Sequence, residues 1–385
     1  MKLGDIFCQD RAVNTLTRAF ETGRLAHAYI FDGIDGIGRF TTAKAFARLL
    51  LCKSPEIATL SRNGTPRNDK TPCTGQGAKQ ADSCGKCESC RMLDADNHPD
   101  FHHIYKELIQ FSSDPTNRKK QPIDLPIDVI REFLIEKIQI RPSLSASKVF
   151  VISESEKLNA ASQNALLKVL EEPPNKSFII LLCSKLDNLL PTTRSRSQIV
   201  HFGPLSEEKI IEKMPEVSQT EARYLARLTN GSLGQAQILS KLEPSFYSVK
   251  KEFLDRFSAL QIADTVDFAQ WINTTAGKLT ESWLKLKAGA SKSDLGRTAK
   301  KMFVLSLISA FSDAMKVSFA GGEKITNFDQ SQQVKSIVQK FGQLGSADLI
   351  ETCYETIRFI DASVNEKLVF EHLLLTCLNY GIIKV

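Results

Sequence analysis

Long apolar runs are missing from this sequence. Charged residues interrupt every stretch that approaches bilayer-spanning length, so no transmembrane helix is expected. The opening Met1-Lys2-Leu3-Gly4-Asp5 lacks the apolar stretch and small-residue cleavage site of an export signal, and a cytoplasmic location is the expectation. Repeats of fixed period are missing too, which argues against a solenoid or propeller. A strong charge bias is absent: net charge is +6 and the pI is near 8.7, an excess that permits contact with nucleic acid without arguing for it. The nine cysteines form no even framework, and without an export signal they point to reduced thiols rather than disulfides.

What is present reads as two regimes. At 385 residues the chain exceeds one ordinary core, so two or three domains are expected. In the first half, short β-rich apolar runs alternate with helical stretches, the pattern of a mostly parallel α/β sheet. The runs are Ala28–Phe31, Phe101–Ile104, Val149–Ile152, Phe178–Leu182 and Ile199–Phe202. A helical stripe between Leu158 and Glu172 is stopped by Pro173-Pro174, since proline cannot donate the next backbone bond. Residues 54–83 are a polar insertion without periodicity, expected to be an exposed loop, and Ser112–Gln121 with Arg118-Lys119-Lys120 reads as another surface excursion. From about Gly203 the β signal ends. Residues 206–242 read as a small helical unit broken at Gly231, and everything from 243 onward is helical by period. Three stripes mark its core: Phe253, Leu254, Phe257 and Leu260; Val304, Ile308, Phe311 and Met315; Ile350, Cys353, Ile357 and Ile360. The segment Gly321–Ser346 is expected to include a loop.

Three local patterns carry chemistry. The strand Ala28–Phe31 leads into Asp32-Gly33-Ile34-Asp35-Gly36-Ile37-Gly38-Arg39-Phe40-Thr41-Thr42 and then a helix over Ala43–Leu51. Strand, glycine loop and helix in that order let backbone N–H groups curl around phosphate at a helix N-terminus. Gly33, Gly36 and Gly38 fit the phosphate-loop spacing, but Arg39 stands where a lysine belongs and Phe40 where a hydroxyl should bind Mg²⁺. Thr41, one position later, is the candidate to compensate in part for that hydroxyl, and a glycine turn without ligand is the plainer alternative. The strand Val149–Ile152 is followed by Ser153-Glu154, a serine where an acid would position Mg²⁺ and then a retained acid. With two metal positions altered in one chain, independent hydrolysis is not expected. Finally, Cys84, Cys87 and Cys90 form a tight thiol knuckle suited to a closed structural zinc site. Cys52 and Cys73 compete as its fourth ligand. Cys8, Cys183, Cys353 and Cys377 read as core residues, and the histidines as isolated.

These residues resemble the bacterial clamp-loader ATPases, the AAA+ subunits of DNA polymerase III. The likeness runs through Arg24–Tyr29, the glycine loop, Ala43–Cys52, Asn97-His98-Pro99-Asp100 and Asn164-Ala165-Leu166-Leu167-Lys168-Val169-Leu170-Glu171-Glu172-Pro173-Pro174. It continues through Thr193-Arg194-Ser195-Arg196-Ser197 and Glu371–Leu375, nearly the whole chain, and is nearest to the δ′ type. The resemblance implies an AAA+ α/β P-loop domain with a parallel sheet over 1–203, a small helical lid over 204–242 and an all-α collar over 243–385. Composition shifts near 203 and 243 agree with that division.

The resemblance also implies that Arg196 acts as an arginine finger on ATP held by a neighbouring subunit, with Arg194 as the alternative. Ser197 replaces the family's cysteine there. A lid arginine that senses nucleotide in motor subunits is replaced by Gly234. Cys52 becomes the favoured fourth zinc ligand, because the cysteine closing the phosphate-loop helix fills that role in the family, which makes a zinc module of about 52–90. The implied partners are γ/τ and δ subunits in a five-membered ring, the sliding clamp and primer–template DNA, with no membrane. The implied role is that of a non-motor part of the polymerase holoenzyme with an empty or weak nucleotide site. Two rivals remain: a γ/τ-like motor that hydrolyses ATP, and a free-standing zinc protein that binds DNA.

Overall fold

The computed structural model describes residues 1–56, 81–118, 123–174, 176–287, 290–320 and 325–383. The insertion read at 54–83, and Cys73 with it, therefore lies largely outside the described residues. The chain forms two compact units, Met1–Pro204 and Leu205–Val385.

The first unit is built on five parallel strands: β1 (Ala28–Asp32), β2 (Phe101–Ile104), β3 (Lys148–Ile152), β4 (Ser177–Cys183) and β5 (Gln198–His201). Their order across the sheet is β2-β3-β4-β1-β5, with Ile30 opposite both Leu181 and Ile199. Ala28, Tyr29, Ile30 and Phe31 are all fully buried, so the central strands are covered on both faces. That is why the sequence shows continuous apolar runs there rather than alternation. The covering helices are α1 (Asp10–Glu21), α2 (Arg39–Leu51), α3 (Glu88–Asp94), α4 (Pro115–Arg118), α5 (Ile127–Ile130), α6 (Glu136–Gln139), α7 (Ala160–Glu171) and α8 (Pro191–Ser195). A π turn over Arg131–Ile135 joins α5 to α6. This stretch has no counterpart among the elements read from the sequence, yet Val129, Ile130, Leu134 and Ile138 all enter the core. Helix α7 starts at the Asn159 cap, whose side chain accepts from the Ser162 N–H at 2.8 Å, and it ends just before the two prolines. Helix α2 starts four residues before the expected Ala43, because the left-handed Gly38 turns the chain straight into it.

The second unit is entirely helical in its described residues: α9 (Glu207–Glu212), α10 (Gln219–Leu228), α11 (Leu233–Ser240), α12 (Phe246–Ser258), α13 (Thr265–Leu286), α14 (Lys292–Ala320), α15 (Ser331–Asp361) and α16 (Glu366–Ile383). Phe253 and Phe303 meet edge to face at 5.3 Å in its core, and Phe257 meets Phe311 at 5.9 Å. The loop expected over 321–346 gives way to helix at Ser331, with a kink at Gly342 inside α15. One stripe is rotated: α15 buries Leu349, Cys353, Thr356 and Ile360, leaving Ile350 and Ile357 half-buried. Two buried charges pin the segment before α15. The Lys250 ammonium, fully buried, meets Asp329 Oδ1 at 2.7 Å, and Asp313 accepts the backbone N–H groups of Thr326 and Asn327 at 2.8 and 2.7 Å. Among the described residues no helix is long and apolar enough to cross a membrane.

Candidate phosphate and metal sites at the two ends of helix α2

Helix α2 begins at the glycine loop. Gly33, Gly36 and Gly38 all have positive φ. Gly33 also lies so close to its surroundings that an added Cβ would sit 2.7 Å from the Phe202 carbonyl oxygen. The cradle geometry is therefore intact. Arg39, the first residue of α2, turns inward and is only 7% exposed. Its Nη2 reaches Asp35 at 3.4 Å, and its buried Nη1 has no hydrogen-bond partner among the described residues. A buried donor left unpaired at a helix N-terminus is suited to an anion.

The positions that would hold Mg²⁺ are filled differently. Phe40 packs its ring 4.5 Å from the His103 ring, and Ser153 shares a 2.8 Å hydrogen bond with His103 Nε2. Both replaced positions thus touch one imidazole. Burial lowers the His103 pKa to about 4, so the ring is neutral near pH 7. Thr41 is exposed on the helix about 100° round from Phe40. Glu154 is engaged elsewhere: its carboxylate lies 2.8 Å from Lys157 Nζ and 3.8 Å from the buried Lys106. Burial lowers the Lys106 pKa to about 8 against the pull of Glu154. A carboxylate held between two amines is a poor base for water.

Arg196 caps the C-terminus of α8. Its Nη2 lies 2.8 Å from Glu171 Oε1 and its Nη1 donates to the Thr192 carbonyl oxygen at 3.1 Å. The alternative, Arg194, reaches the fully exposed Asp187 at 3.5 Å. In the second unit, Gly234 falls in the first turn of α11 and offers no side chain.

Helix α2 ends at Cys52, and the metal-ligand set gathers there. The sulfurs of Cys52, Cys84, Cys87 and Cys90 all lie within 4.8 Å of one another. Cys52 Sγ is 3.5 Å from that of Cys84 and 3.9 Å from that of Cys87. Tetrahedral zinc with bonds of about 2.3 Å sets its sulfurs about 3.8 Å apart, so this donor set fits. Backbone N–H groups point at the sulfurs: Cys84 N to Cys52 at 3.4 Å, Cys87 N to Cys84 at 3.4 Å and Cys90 N to Cys87 at 3.5 Å. Donors from Lys86 and Cys87 pull the Cys84 thiol down to about 6, while burial pushes Cys90 up to about 12. Of the cysteines read as core, Cys183, Cys353 and Cys377 are buried, but Cys8 is half-exposed.

Three residues that sequence reasoning passed over organise these ends. His103 joins Phe40 to Ser153, so the histidines are not all isolated. Gln9 staples the loop to the strand exit, donating to the Gly203 carbonyl at 2.9 Å and to that of Ile37 at 3.2 Å. Asp100 accepts three backbone N–H groups, from Ser143, Leu144 and Ser145 at 2.6–2.8 Å, beside His98, which hydrogen-bonds Ser89 of α3 at 2.8 Å. His98 and Asp100 lie in the motif noted in the sequence, but their partners are distant in the chain and left no local signal.

Three likenesses to known proteins bear on these sites. The chain is 25% identical over 369 residues to the DNA polymerase III subunit delta' of Bacillus subtilis, covering 95% of each protein. It is 30% identical over 227 residues to the delta' subunit of Escherichia coli, covering 58% of this chain and 57% of that one. It is 27% identical over 244 residues to the tau subunit of Escherichia coli, covering 61% of this chain but 32% of that one. The family described as DNA polymerase III, delta subunit matches residues 8–71 and 68–206. With a parallel AAA+ sheet, a glycine cradle and these likenesses together, the chain belongs to that DNA polymerase III family, among the clamp-loader AAA+ proteins close to delta prime.

Proposed function

We propose that this chain is a δ′-type, non-motor subunit of a DNA polymerase III clamp loader. It gives Arg196 in trans to ATP on a neighbouring γ/τ subunit and so helps load the sliding clamp at primer–template DNA. The observation that carries the reading is the joining of Phe40 and Ser153 through a neutral His103. Two ligand positions for Mg²⁺ hold groups that satisfy each other instead of a cation, and Glu154 is tied to lysines. Arg196 keeps its charge at the surface, where a guanidinium can stabilise charge developing on a transferring phosphoryl group. Gly33, Gly36, Gly38 and Arg39 keep a cradle for a weakly held phosphate, without the metal that hydrolysis needs. Cys52, Cys84, Cys87 and Cys90 hold a structural zinc, four thiolates leaving no open position for catalysis. The division into an AAA+ domain over 1–203, a lid over 204–242 and a collar over 243–385 belongs to the same reading, as does assembly with γ/τ and δ subunits in a five-membered ring.

The likeness to tau favours one rival, a γ/τ-like motor in which Arg39 and Thr41 replace the missing groups. The purified chain discriminates between them. Equilibrium binding should show weak, Mg²⁺-independent nucleotide affinity and no steady-state turnover. Tight Mg²⁺-dependent binding with hydrolysis would establish the motor instead.

A further inference from the structure

The Arg196 guanidinium is not loose. It bridges the last residue of α7 and the first turn of α8, through Glu171 Oε1 at 2.8 Å and the Thr192 carbonyl oxygen at 3.1 Å. A guanidinium carries five N–H donors in one rigid plane, so two fixed contacts on different nitrogens set that plane and leave the other donors free. The side chains stay accessible, Arg196 at 36% and Glu171 at 50% exposed. Arg194 has no comparable hold, since its partner Asp187 is fully exposed and 3.5 Å away.

Glu171 stands where helix electrostatics disfavour it. The C-terminus of a twelve-residue helix such as α7 carries partial negative charge, and an acid in its last turn is opposed by it. An exposed ion pair returns little stability for that cost. The placement makes sense if the carboxylate serves the arginine rather than the fold.

We infer that Glu171 is the positioning residue for Arg196, fixing the guanidinium plane in the orientation from which it meets a neighbour's phosphates. The inference rests on the trans-acting role proposed for Arg196. Pre-setting the plane removes the freezing of a long, flexible side chain from the reaction step, so Glu171 acts on turnover and not on nucleotide affinity.

The test is a double-mutant cycle in the fully assembled loader, with steady-state ATPase measured in the presence of clamp and primed DNA. Glu171→Gln should lower kcat about 3–10-fold with KM for ATP unchanged, and Glu171→Asp should recover part of the loss. In an Arg196→Ala background, Glu171→Gln should have no further effect, since a residue acting through another loses its influence when that other is gone. A parental kcat for Glu171→Gln overturns the inference, as does an equal fold-loss in both backgrounds. If Arg196→Ala itself leaves kcat unchanged, the trans-arginine reading fails and takes this role with it. A strong Arg196→Ala effect with a silent Glu171→Gln fails the positioning role alone.

Discussion

Helix α2 starts at a glycine cradle and stops at a cysteine, and its two ends have fared differently as places for metal. The N-terminal end carries partial positive charge and faces an anion cradle; the C-terminal end carries partial negative charge and faces a set of metal-binding sulfurs. Ligand polarity thus follows the helix at both ends. The two ends differ in which side chains stand at the ligand positions. A hard Mg²⁺ ion needs oxygen ligands and keeps water, and Phe40 offers it no oxygen. A closed thiolate set depends on four residues of one kind, and all four are here. The comparison teaches that the cysteine end keeps a complete donor set, while the glycine end keeps only its backbone cradle.

Breaking the cysteine end should have the largest effect. Cys87→Ser should release bound zinc and lower stability by about 3 kcal/mol or more, seen as lost metal in atomic emission and a lower Tm. A parental protein that carries no zinc would erase the contrast between the two ends. The opposite end responds to acid. Unfolded histidine titrates near 6.5, whereas burial holds His103 at about 4, so the unfolded chain takes up the proton first as pH falls. The stability that His103 contributes is complete above about pH 6.5, declines between about 6.5 and 4, and is constant below. His102, half-buried and likewise lowered to about 4 by desolvation, adds a slope of the same sign. His103→Gln should therefore flatten, without abolishing, the fall in unfolding free energy from urea titrations across that window, by about 1–3 kcal/mol. An unchanged slope would mean that the His103 imidazole beside Phe40 and Ser153 is solvated. The smallest effect is at the first residue of α2. Arg39→Met removes a buried guanidinium nitrogen that lacks a partner and should stabilise the chain by about 1 kcal/mol in denaturant titrations. Loss of stability would show that Arg39 finds an anion in solution.

Much of this was legible, for reasons that differ by element. The five strands were readable because burial on both faces demands unbroken apolar runs, and the cysteine knuckle because soft ligands leave a local spacing. The losses at Phe40 and Ser153 were readable as departures from a pattern. That both lean on His103 was not, because strand pairing brings them together across more than a hundred positions. The misread stripe in α15 has a chemical cause. Thr356 looks polar in sequence but is buried, its hydroxyl donating to the Thr352 carbonyl at 2.9 Å, so the true face runs one residue behind the one that Ile350 and Ile357 suggest. The π turn after α5 escaped because an extra residue per turn breaks the helical period.

The cluster around His98 and Asp100 bears on how the chain is made. All four cysteines leave the ribosome before residues 143–145 do, but α3 is braced through Ser89, His98 and the N–H groups of Ser143, Leu144 and Ser145. A nascent chain therefore presents its thiols dozens of residues before their support arrives. Contacts so far apart in sequence close late, so the thiols are exposed before their scaffold forms.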